Sequence, residues 1–171
     1  NGSDNPSDGL FTSGSWTYEA TYRFKDDIAY SNESLARFYM TGSSGEGLLF
    51  NLISSKSGSN DDDIATLTLY GATDLISPNR FSIVIDGRTL YDGDRWHVSF
   101  GREKIGELES KYFLRLGKQI SGQPVILDEQ VLYLTNSNVT TDAFSFINST
   151  YNASGSYFRL GEYAGSINNH F

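Results

Sequence analysis

Cysteine is absent from the 171 residues, so neither a disulfide framework nor a thiolate metal site can form. A chain of this length buries about 70% of its unfolded surface on folding, so its core needs no covalent staple. The absence leaves the compartment open. Histidine is nearly as scarce, with two residues, and a multi-histidine metal centre is excluded. Lysine and arginine number 13 against 21 acidic residues and do not cluster, and the net charge is −8. That balance argues against nucleic-acid binding, which rests on grouped cations that neutralise phosphates. No apolar run approaches the ~18–20 residues that a membrane-spanning helix requires. The chain opens on Asn1-Gly2-Ser3 and lacks a basic-then-apolar leader, so it reads as a processed product or a piece of something longer. Neither a glycine-rich phosphate loop nor a Ser/His/Asp or Cys/His nucleophile pattern is visible.

Aromatics are plentiful. Eleven Tyr, eleven Phe and 17 Gly with only 3 Pro point to aromatic and β-branched strands punctuated by Gly and Ser turns. Residues 1–9, rich in turn formers, read as a linker or disordered lead-in. From Ser15 to Phe24, Trp16, Tyr18, Ala20, Tyr22 and Phe24 alternate with polar residues, as a half-buried strand requires. Leu35–Thr41 and Gly45–Ser54 form two strands of a hairpin around Thr41-Gly42-Ser43-Ser44-Gly45. Ile64–Tyr70 alternates again. Phe81–Ile85 ends at Asp86-Gly87, the strongest short hairpin signal in the chain, and a return through Arg88–Tyr91 is expected. Tyr91-Asp92-Gly93-Asp94 is a tight turn.

The segment after that turn places Trp96, Val98 and Phe100 on one face, with Arg95, His97, Ser99 and Arg102 on or near the other. Lys111–Leu116, Val125–Leu134 and Ser156–Tyr163 complete the strands. Asn136–Gly155 is a polar insertion with room for a short helical turn near Ala143–Ile147. Some ten short strands without helical periodicity predict one all-β domain over 10–171, an antiparallel β-sandwich or barrel.

One tract is more specific. Asp92-Gly93, then Trp96-His97-Val98 and a trailing Arg102, resembles the D-G-x-W-H-x-V signature of the laminin-G-like branch of the concanavalin A-like jelly rolls. The spacing carries one extra residue between Gly93 and Trp96. Phe158-Arg159-Leu160-Gly161 resembles the family strand that ends in Leu-Gly-Gly. The resemblance covers nearly the whole chain and implies a jelly roll. It further implies a final strand absent from residues 1–171, because the sequence stops at Asn169-His170-Phe171 where that strand would begin. A continuing polypeptide or another segment would then close the sheet.

Candidate site residues follow from chemistry and from this resemblance. Trp96 could serve as a stacking platform, but its shared face with Val98 and Phe100 favours the core. His97 is a candidate ligand contact on the opposite face. Tyr30, Tyr151 and Tyr163 are candidates for adaptable polar recognition. Asp61, Asp62 and Asp63 could supply oxygen ligands to Ca²⁺, which the family often carries at a loop rim, and a solvated acidic loop is the plainer alternative. Asp92 and Asp94 form a weaker second pair. Asn-x-Ser/Thr sequons stand at Asn1, Asn32, Asn138, Asn148 and Asn152 as glycosylation candidates.

Some jelly rolls of this architecture are retaining glycosidases with carboxylates alternating along a strand. Glu107 and Glu109 have that spacing, about 6.5–7 Å apart at Cα on an extended strand. Such a pair needs carboxyls about 5–5.5 Å apart. The third acid those enzymes use is replaced by Lys111 or Tyr112, and the segment around Gly106 reads as a connecting loop. The expectation is therefore a non-catalytic recognition or structural module of a larger extracellular, cell-surface or virion-surface protein. It would bind a glycan or a neighbouring subunit. A glycan-cleaving hydrolase, and an architectural domain completed by a strand from elsewhere, are the alternatives.

Overall fold

The computed structural model describes residues 15–24, 32–41, 47–56, 64–73, 79–106, 109–134 and 157–163. These contain nine strands: β1 (Trp16–Arg23), β2 (Asn32–Thr41), β3 (Gly47–Lys56), β4 (Ile64–Thr73), β5 (Asn79–Thr89), β6 (Arg95–Lys104), β7 (Ser110–Ile120), β8 (Gln123–Leu134) and β9 (Tyr157–Tyr163). They form two antiparallel sheets, one ordered β1-β6-β7-β8 and the other β5-β4-β3-β2-β9. The linker at 1–9 and the insertion's helical turn at 143–147 lie outside the described residues.

The alternation read from the sequence is what joins the sheets. Trp16 from β1 and Phe100 from β6 meet Phe38 and Phe50 of the other sheet, with Trp16 5.0 Å from Phe50 and Phe100 5.8 Å from Phe38. Leu52, Leu67, Leu69 and Ile85 face Val98, Leu114 and Leu116 in one continuous core. Trp96 belongs to it at 4% exposure, as its face predicted. The two sheets thus pack as a β-sandwich, each hiding the apolar face that a lone sheet would leave in water.

Two expectations are corrected. Asp86-Gly87 does not turn the chain; β5 runs through it from Asn79 to Thr89. The pairing steps from Ala65↔Arg88 to Leu67↔Ile85, so Asp86 and Gly87 together oppose Thr66. This is a bulge, with Gly87 in the left-handed region at φ 68° and Asp86 accepting hydrogen bonds from its backbone N–H and from the Thr66 hydroxyl. The same glycine that suits a hairpin turn suits a bulge, and pairing with β4 selects the bulge. Arg102 is the second correction. It shares the parity of Trp96, Val98 and Phe100 and faces inward, 1% exposed, donating from Nε to Ser110 Oγ at 2.8 Å.

A second irregularity lies in β2. Ser34 pairs with Ile53 and Ala36 with Leu52, so three residues of β2 span two of β3. Leu35 is the extra residue. It joins Ala36 in the core, and Ser34 is carried to the far face of the five-stranded sheet. The true two-residue turn is Ser121-Gly122, both at positive φ (53° and 82°), joining β7 to β8.

Candidate functional site

Residues on the far face of the five-stranded sheet, away from the core, form rows across the strands because cross-strand partners share a face. One row runs Ser82, Tyr70, Asn51 and Arg37, from β5 to β2. The next runs Val84, Thr68, Ile53 and Ser34. A solvated face would leave these side chains exposed. Instead Ser34, Arg37, Asn51 and Thr68 are buried and Tyr70 is half-buried.

Ser34 Oγ donates to Asn51 Oδ1 at 2.6 Å, which fixes the amide and leaves its Nδ2 as a donor. Arg37 is 8% exposed, yet its Nε meets no acceptor. None of the ion pairs among the described residues involves it. A buried donor without an acceptor costs about 1–3 kcal/mol, and more when charged. Arg37 and the Asn51 amide therefore both offer donors on this face.

The outer face of the other sheet is built differently. Arg115 lies over the Phe113 ring, 4.1 Å from its centroid, and donates to Glu129 at 2.7 Å. Glu103 joins it, 3.7 Å from Arg115 and 3.1 Å from Lys111. His97 is half-buried on this face, paired in register with Thr21 and Gly117, and no acidic partner engages it among the described residues.

Asp92 and Asp94 form a closed clasp. Asp92 Oδ1 accepts from the Asp94 N–H and from Trp96 Nε1, and Lys118 Nζ donates to Asp92 at 2.9 Å and to Asp94 at 2.6 Å. Burial works to raise the Asp92 pKa but is outweighed by these hydrogen bonds, and the carboxyl stays below its usual range. The Lys118 ammonium, also 4.4 Å from the Trp96 ring centroid, takes the place a cation would occupy.

The other candidates divide simply. Tyr30, Asp61, Asp62, Asp63, Asn138, Asn148, Tyr151 and Asn152 lie outside the described residues, as does Glu107. Tyr163 ends β9, the strand that carries Arg159, and pairs with Glu33. Asn32 opens β2, and Ser34, the third residue of its sequon, is buried. Glu109 lies in the connection before β7, its carbonyl accepting from the N–H groups of Ile105 and Gly106 at 3.0 and 3.2 Å.

Arg37 and Asn51 were not anticipated from the sequence, although a signal exists. Each is a lone polar residue within an apolar strand, and they stand equidistant from Ser44 in the expected turn. Compared with protein-family models, curated proteins and solved structures, the chain matches none.

Proposed function

We propose that this domain is a non-catalytic recognition module that binds glycan on the far face of its five-stranded sheet. The observation that carries the reading is the polar row containing half-buried Tyr70 and buried Asn51 and Arg37, with Ser34 holding Asn51 in place. Convergent, fixed polar groups beside an aromatic are what a ligand dense in hydroxyls requires. Placement on sheet strands gives the row a rigidity that rim loops lack. The jelly-roll class suggested by the Asp92–Arg102 tract agrees with this use of a sheet face. In that setting the domain belongs to a larger extracellular or virion-surface protein and acts without chemistry.

A glycan array probed with the wild-type domain, with and without calcium, tests the reading. Binding is expected on a subset of glycans and should weaken about tenfold or more in Asn51→Ala, which removes a fixed hydrogen-bonding group. An array blank under both conditions would dispose of glycan recognition.

A second reading rests on β8. Among the described strands it pairs only with β7, and it exposes Ile126, Leu127, Val131 and Tyr133 at 42–57%. A long apolar edge suits a strand of a neighbouring subunit. Light scattering of the wild type against Val131→Lys tests it, and a wild type that stays monomeric at high concentration speaks against it.

A further inference from the structure

We propose that the glycan bound on this face is acidic, and that Arg37 receives its carboxylate or sulfate. The inference rests on the glycan reading above and adds the chemical class of the ligand. Its first support is Arg37 itself: a residue only 8% exposed, with a buried Nε that meets no acceptor and no ion pair among the described residues.

The second support is shape. The planar fork of an arginine matches the two oxygens of a carboxylate or sulfate.

The third support is the neighbour in the row. Ser34 occupies the acceptor end of Asn51, so that amide also offers a donor. The row therefore presents donors from Arg37 and Asn51 to one ligand. A neutral sugar could accept these hydrogen bonds but would leave the guanidinium charge uncompensated. An anionic group accepts the same bonds and compensates the charge. On a chain whose net charge is −8, Arg37 is a local positive focus, not part of a general basic surface.

The test titrates wild-type, Arg37→Met and Glu129→Gln domains with three oligosaccharides of equal length: neutral, uronate-bearing and sulfated. Glu129→Gln alters the other sheet and controls for charge changes in general. Wild type and Glu129→Gln should bind at least one acidic oligosaccharide tenfold or more tightly than the neutral one, with the preference shrinking as salt is raised. Arg37→Met should lose the preference without a fall in melting temperature. The uronate and sulfate arms identify the anion.

Equal binding of neutral and acidic sugars by the wild type would overturn the proposal and leave the glycan reading standing. So would an Arg37→Met domain that keeps the preference. A wild type that binds none of the three sugars overturns both readings, and Arg37-dependent binding of an acidic peptide in their place does the same. A marked fall in melting temperature for Arg37→Met would show that Arg37 serves the fold and would also overturn the proposal.

Discussion

Among the described residues two arginines are buried, one in each sheet, and they are opposites. Arg102 points into the core between the sheets, donates to the buried Ser110 hydroxyl, and stands beside Tyr112 across the β6–β7 pair. Arg37 points to the far face of its sheet, with no acceptor for its Nε. Burial alone therefore does not distinguish structure from function; satisfaction does. A guanidinium whose donors are answered within the chain belongs to the fold. One whose donors are not answered imposes a cost on the fold that a ligand can offset.

The comparison breaks most visibly at Arg102. Arg102→Ala empties a large buried volume and strips Ser110 of its donor, and should cost about 3–5 kcal/mol in urea unfolding. Arg37 should show no such loss, and an equal penalty at both sites would erase the distinction.

Tyr112 sharpens the contrast through pH. Burial pushes its phenol up to about 12, with the Arg102 charge pulling weakly the other way. A raised phenol pKa contributes stability that is complete below the unfolded value near pH 10. That stability is lost as pH rises through the folded value. Between pH 9 and 12 the loss from this group reaches about 2 kcal/mol, and Tyr112→Phe should flatten it. Tyr22, half-buried and hydrogen-bonded to Tyr18 at 2.7 Å, is also shifted upward by its burial and steepens the same alkaline limb.

Smaller in size but opposite in sign is Arg37→Met. Replacing an unanswered charge with an apolar side chain of similar length should leave stability unchanged or raise it by about 1 kcal/mol. Thermal melting of the free domain measures this without any ligand. Smallest is Asp94→Asn, which removes one side of the exposed Lys118 clasp and should cost under about 1 kcal/mol, less at high salt. An effect larger than that would assign the clasp a role beyond holding its turn.

Much of the fold was legible because strand alternation is local. Trp16 to Phe24 and Trp96 to Phe100 declare their faces without reference to anything else. Asp86-Gly87 misled because glycine's positive φ serves a turn and a bulge equally, and only the pairing with β4 decides between them. Arg102 misled because a charge in a period-2 segment reads as solvent-facing, and the Ser110 hydroxyl that receives it lies on another strand. The candidate site was hidden for a related reason. Arg37, Asn51 and Tyr70 come from three strands, and each looks ordinary until register aligns them. Aromatics and acids in loops drew attention instead, because those residue types advertise chemistry locally.

The extra residue in β2 carries a consequence for how such a site arises. By strict alternation Ser34 would share the side of Ala36 and Phe38 and face the core. It reaches Asn51 only because Leu35 is one residue more than β3 requires. The hydroxyl that anchors the amide is thus specified by chain length as much as by residue type. A single-codon deletion at Leu35 would silence it with every other side chain of the row intact, and a single-codon insertion would suffice to create it. Gain and loss of recognition on this face can therefore proceed by changes in length, along a route that comparison of substitutions alone would miss.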